Sequence, residues 1–180
     1  WYVWADARID GSPPNNWLSV FGGPAWTWDA RRGQYYLHNY LPTQPDLNLH
    51  NPRVQDALLD IARFWLERGV DGMRLDAINY GMHDVHLRDN PPAPLETKRP
   101  PRPWLMQVKK YNTNHDDMPA FLERLRQLTD SYGDIMTVAE VGGADALPVM
   151  RTYTQGTERL TTAYSFDFLN LGAVTADKIR

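Results

Sequence analysis

Val70-Asp71-Gly72-Met73-Arg74-Leu75-Asp76 and, further along, Ile135-Met136-Thr137-Val138-Ala139-Glu140 are the two stretches that decide the fold. Each is a strand-length run that ends on a single carboxylate and then a loop. Each also follows a helical pattern closed by a glycine, Gly69 and Gly133. Before the first, Asn51-Pro52 is a helix start, with Asn as N-cap and Pro at the first helical position. Val54, Leu58, Ile61 and Trp65 then recur at helical spacing, flanked by Ala57 and Leu66. Before the second, a helix is predicted over 118–131, capped by Asp116 or Asp117, with Phe121, Leu122, Leu125 and Leu128 inward. A third helix over about 144–153 leads to a third strand over 162–169. Helices alternating with short apolar strands predict the α/β class and a parallel sheet.

The sequence on either side is less regular. Residues 1–50 carry turn material at Asp10–Asn16 and Gly22-Gly23-Pro24, interleaved with Trp17, Phe21, Trp26, Trp28, Tyr35 and Tyr36. They read as a loop-rich domain with one short strand pair around 34–38, and residues 51–180 as the helix–strand domain. Residues 80–116 hold a cluster of prolines too dense for regular structure; a loop of that length in a compact domain usually serves function or closes a site.

Composition excludes several classes. The 180 residues are 42% hydrophobic and 23% charged, enough for a packed core. Net charge is −3 and the basic residues are scattered, so no basic face for nucleic acid is expected. No apolar run approaches membrane-spanning length, so no membrane partner is expected. With no cysteine there is neither disulfide nor thiolate metal site. A reducing compartment fits, which makes the cytoplasm the expectation, with the periplasm also compatible. Aromatic residues reach 12%; such wealth suits stacking on sugar rings but equally an ordinary core.

The strand ends carry the chemistry. Alternation puts Gly72, Arg74 and Asp76 on one face and Met73 and Leu75 on the other. Val138 and Glu140 likewise share a face. On spacing alone, Arg74 and Asp76 fit a plain ion pair as well as a catalytic pair. Two carboxyls at the ends of adjacent parallel strands can nevertheless approach as retaining glycosidases require, about 5–5.5 Å apart, one as nucleophile and one as proton donor.

Five motifs carry a resemblance. Asp71-Gly72-Met73-Arg74-Leu75-Asp76-Ala77-Ile78-Asn79 resembles the nucleophile motif of α-amylase-type glycoside hydrolases (glycoside hydrolase family 13). Thr137-Val138-Ala139-Glu140-Val141 resembles their acid/base strand. Gln44-Pro45-Asp46-Leu47-Asn48 is similar to the motif marking the α-glucosidase and oligo-1,6-glucosidase branch. Asn15-Asn16-Trp17 with Phe21–Trp26, and Tyr36-Leu37-His38, look like the loop domain that precedes it. The resemblance implies the central part of a (β/α)₈ TIM barrel, about strands four to six, preceded by the end of an inserted loop-rich domain. It implies a retaining α-glucosidase acting on terminal bonds of maltose, short malto-oligosaccharides or sucrose, with transglucosylation as the same chemistry on another acceptor.

Residue by residue, Asp76 is then the nucleophile and Glu140 the acid/base. Arg74 binds the sugar at the cleavage point and keeps Asp76 charged. Phe21 and Tyr40 wall the glucose pocket, Tyr40 standing where relatives generally have Phe. Ala77 suggests α-1,4 bonds, Val at that place going with α-1,6. Other family residues fall outside these 180, so the reading is of a middle piece, inactive without the remainder of its barrel. No cofactor and no metal are expected. The rival readings are a sucrose isomerase or transglucosidase of the same family, and a non-catalytic scaffold relative.

Other features take plainer readings. Met82–Asp89 holds two His and two Asp but no helix to fix a ligand spacing, so it reads as a loop shaping the acceptor side. Asn114–Asp117 reads as helix capping, Trp17, Trp26 and Trp28 as packing, Asp46 as a loop-fixing acceptor, and Asp167 as structural.

Overall fold

The computed structural model describes residues 1–94, 102–143, 146–166 and 175–176. In chain order the elements are β1 (Trp4–Ala5), β2 (Trp26–Asp29), β3 (Gln34–Leu37), α1 (Pro52–Leu66), β4 (Gly72–Leu75), α2 (Met118–Asp130), β5 (Met136–Val141), α3 (Ala146–Thr154) and β6 (Thr162–Ser165), with short 3₁₀ turns at Ile78–Tyr80 and Pro103–Met106. They divide into two compact units, Trp1–Asp56 with Tyr80–His115, and Ala57–Asn79 with Asp116–Arg180.

The first unit is built on an antiparallel sheet of order β1-β3-β2, one strand more than the expected pair. Trp17 and Trp26, both nearly inaccessible, stack at 5.9 Å among Val3, Ala5, Ala25 and Leu37. Trp28 departs from the packing expectation: it stays 47% exposed, edge-on to Tyr35. The division at residue 50 did not anticipate that 80–115 closes on this unit. The reason is a polar lattice with no periodicity. The Trp17 indole donates to the Arg88 carbonyl at 2.9 Å, and Asn16 and Asn90 exchange side-chain and backbone bonds of 2.9 and 2.8 Å. Three buried asparagines then run in series: Asn90 donates to Asn112, and Asn112 to Asn39, each at 2.8 Å. Buried amides are tolerated only when each finds a partner, and here the series ends on the Asp46 carboxylate, which takes both Asn39 N–H groups at 3.1 and 2.5 Å. Burial pushes that carboxyl up to about 7, against the pull of the Asn39 donors.

The second unit carries a parallel sheet of order β4-β5-β6. Its register pairs Arg74 with Val138, Leu75 with Ala139, and Glu140 with Tyr164. The expected third strand is present as Thr162–Ser165; its predicted end and Asp167 lie outside the described residues. Gly72 is required where it stands: a Cβ there would lie 2.6 Å from the Met136 carbonyl oxygen across the β4–β5 ladder. Gly69 ends the preceding helix at φ +84°, a conformation glycine adopts without steric cost.

The helices follow the sequence pattern with two differences. At the start of α1, Asn51 Oδ1 accepts the Arg53 N–H at 3.0 Å, as an N-cap should. At α2, Asp117 occupies the cap position but makes no capping bond, because its backbone is already helical (φ −83°, ψ −10°). Phe121, Leu122 and Leu125 are buried as expected, joined by Met118, with Leu128 half-buried. On α1 the buried line runs through Val54, Ala62 and Leu66, whereas Ile61 and Trp65 are 56% and 51% exposed. That shift follows from β4 being an edge strand among the described residues. Ile61 and Trp65 instead line an open cavity of about 420 Å³ with Met73, Leu75 and Phe121, which reaches Arg74 and Asp76 at the strand edge.

Candidate active site

Parallel pairing brings three strand ends level. Extending the β4–β5 register one step beyond Leu75–Ala139 sets Asp76 beside Glu140, and Tyr164 already pairs with Glu140 on the other side. Since side chains alternate, Arg74, Asp76, Glu140 and Tyr164 share one face.

Their contacts form one network. Arg74 Nη2 donates to Asp76 Oδ1 at 3.2 Å and also to Glu140 Oε2, so a single guanidinium nitrogen joins the two carboxylates. Arg74 Nε donates to the Tyr164 hydroxyl oxygen at 2.9 Å, and that hydroxyl donates to Glu140 Oε2 at 2.6 Å. The Tyr164 oxygen, then Glu140, hold the Arg74 guanidinium above its ordinary value. The two acids differ in setting: the Asp76 side chain is 75% exposed and that of Glu140 only 12%. An exposed carboxylate beside a shielded one is the asymmetry a nucleophile and a proton donor need.

The loops after the strands fix this arrangement. Ala77 turns the chain at φ +43°, in the left-handed region where a residue with Cβ is strained. Asn79, almost fully buried, donates Nδ2–H to the Gly142 carbonyl at 3.0 Å and accepts the Gly142 N–H at 3.4 Å. Tyr164 and Asn79 received no role from the sequence. The signal for Tyr164 is its place two residues after Thr162 on a strand, but its neighbour is known only once the register is.

Phe21 and Tyr40 belong to the first unit. Their rings meet edge-on at 5.6 Å, and Tyr40 meets Tyr80 at 5.4 Å, so an aromatic row of three includes one residue the sequence reading did not single out. Phe21 is 64% exposed, while Tyr80 is half-buried; burial of its hydroxyl, then Tyr40 and Asp46 nearby, push that hydroxyl up. His38 fixes the same turn: its Nδ1 bonds the Tyr40 carbonyl at 3.2 Å and its Nε2 the Thr27 hydroxyl at 2.9 Å.

The segment Met82–Asp89 is occupied by structural contacts. Arg88 grips Asp84 through two nitrogens at 2.7 and 3.0 Å and holds its carboxyl well below the usual range. Asp89 binds Arg8 at 3.0 Å. His83 is buried beside His50, whose ring also meets His115, and burial with those two neighbours pushes it down to about 4. Among the described residues no group of His, Asp and Glu is disposed to hold a metal.

Comparison with known proteins matches the whole chain, residues 1–180, to the alpha-amylase catalytic domain. A probable alpha-glucosidase of Rhizobium meliloti is 49% identical over 99% of this chain and 34% of its own length. An oligo-1,6-glucosidase of Heyndrickxia coagulans is 38% identical over 94% of the chain and 29% of its own length. The crystal structure of an alpha-glucosyl transfer enzyme, XgtA, superposes on the entire chain with a TM-score of 0.95 at 50% identity, covering 34% of that structure. The chain thus spans about a third of the length of the proteins it matches.

Proposed function

This chain belongs to the alpha-amylase family, with β4 to β6 a segment of its (β/α)₈ catalytic barrel, and from that premise we propose that it supplies the two catalytic carboxylates of a retaining α-glucosidase. The activity is that of the full-length protein in which these residues form the middle of the barrel. The observation that supports it best is Arg74 bonded at once to Asp76 and Glu140, which keeps both acids within the span that a retaining displacement uses.

In this reading Asp76 attacks the anomeric carbon of a terminal α-glucosyl unit as the bond to the leaving oxygen breaks. Glu140 gives its proton to that oxygen. Water then enters from the vacated side, Glu140 takes its proton, and the β-glucosyl ester on Asp76 is released as α-glucose. Arg74 holds Asp76 by an ion pair at 3.2 Å while the site awaits substrate. Maltose and short malto-oligosaccharides are the proposed substrates, on the resemblance carried by Ala77.

A second reading is favoured by the likeness to the solved alpha-glucosyl transfer enzyme. Transfer to a sugar or alcohol uses the same ester, with an acceptor hydroxyl in place of water. Proton NMR of the full-length protein acting on methyl α-maltoside, whose leaving sugar is locked as a methyl glucoside so that the only free glucose comes from the cleaved unit, tests both. The first glucose released should be the α anomer, and Glu140→Gln should slow the reaction about 10²–10⁴-fold. A β anomer as first product overturns the retaining assignment, and a new glucoside formed with added acceptor favours transfer.

A further inference from the structure

We infer that Tyr164 is a positioning residue for the acid/base: it pins one oxygen of Glu140, so that the proton which moves is confined to the other. The inference rests on the assignment of Glu140 as acid/base. Two donors, the Tyr164 hydroxyl at 2.6 Å and Arg74 Nη2, both fall on Oε2. A carboxyl oxygen has two lone pairs, and with both engaged Oε2 cannot also carry the proton. Oε1 therefore holds it when Glu140 acts as acid and receives it when Glu140 acts as base.

Tyr164 is itself held. Its oxygen accepts from Arg74 Nε at 2.9 Å, which aims its single hydrogen away from the guanidinium and at Glu140. The register explains the placement, since Glu140 and Tyr164 are direct partners across the β5–β6 ladder. The charged or titratable groups around Glu140 among the described residues are Arg74 and Asp76 from the β4 side and Tyr164 from β6. Of the three, only the Tyr164 contact can be deleted without removing a charge.

A hydrogen bond donated to a carboxylate favours its charged form. In the full-length protein, Tyr164→Phe should therefore move the alkaline limb of kcat/KM up by about one pH unit, the effect of one charge-assisted hydrogen bond. It should lower kcat/KM on maltose, whose leaving group needs a proton, about tenfold. On 2,4-dinitrophenyl α-glucoside, which needs none, the loss should be under about threefold.

Site-specific replacement of Tyr164 by 3-fluorotyrosine keeps the ring shape and makes the hydroxyl a stronger donor, so the limb should move to lower pH. That variant decides the matter if the phenylalanine protein does not fold. An unmoved limb with parallel losses on both substrates overturns the inference and leaves Tyr164 a packing residue. Glu140→Gln separates the two levels. If it costs the rate expected of a proton donor while Tyr164→Phe leaves the profile in place, only the role of Tyr164 fails. If it leaves maltose turnover intact, the assignment of Glu140 fails as well.

Discussion

Asn79 and Gly142 hold one another by a pair of hydrogen bonds, side-chain amide to backbone, at 3.0 and 3.4 Å. The first follows the strand that ends beside Asp76 and the second the strand that carries Glu140, so this clamp fixes the spacing of the two acids. Removing one partner of a buried pair leaves polar groups unsatisfied and costs about 1–3 kcal/mol. Asn79→Ala should lose that much in urea denaturation of the full-length protein and lower kcat more than it raises KM. Unchanged stability would show that the clamp carries nothing.

Gly72 gives a sharper test of the sheet. Because its missing Cβ leaves room for the Met136 carbonyl, Gly72→Ala must separate β4 from β5 or bend one of them. Forced overpacking costs about 1–3 kcal/mol. Thermal unfolding should shift accordingly, and activity should fall further than stability because Arg74 and Asp76 move with the strand.

His83 makes the first unit acid-sensitive. Its folded-state value, about 4, lies below the ordinary 6.5, so between those limits the unfolded chain binds more protons. The stability it contributes is present above about pH 6.5 and is lost as pH falls toward 4. Asp46, raised to about 7, works in the opposite sense: its contribution is full below its ordinary 3.8 and is lost as pH rises through 7. On going from pH 7.5 to pH 5, the urea midpoint of His83→Gln should rise relative to that of the native sequence, because the loss from His83 is gone while the opposing gain from Asp46 remains. An equal change in the two proteins would contradict the burial argument.

Ala77 sits at φ +43°, and a β-branched side chain there is more strained than Ala. Ala77→Val should lower stability by about 1–2 kcal/mol. The added methyl groups beside Asp76 should also shift the maltose-to-isomaltose ratio of kcat/KM about tenfold toward isomaltose. A ratio that stays put would detach linkage preference from this position.

What could be seen in the sequence was what is encoded locally. Gly-x-Arg-x-Asp alternates along one strand, and the Ile135–Glu140 run ends on its acid, so the strand faces follow from counting by two. Asn51-Pro52 and Gly69 bracket a helix by chemistry that acts within a few residues. Tyr164 stayed hidden because its meaning depends on the β5–β6 register, a tertiary fact. The exposure of Ile61 and Trp65 depends on which strands stand next to β4. The return of residues 80–115 to the first unit rests on Asn16, Asn39, Asn90 and Asn112, whose amides have no period to read. Phe21 and Tyr40 follow from resemblance, and the edge-on contact of Tyr40 with Tyr80 from neither route.

The direct test of the catalytic pair is covalent trapping. Full-length protein incubated with 5-fluoro-α-glucosyl fluoride, digested and sequenced by mass spectrometry, should carry one fluoroglucosyl group on Asp76, and Asp76→Asn should carry none. A folded protein that gains no label, or one labelled on another residue, would contradict the account.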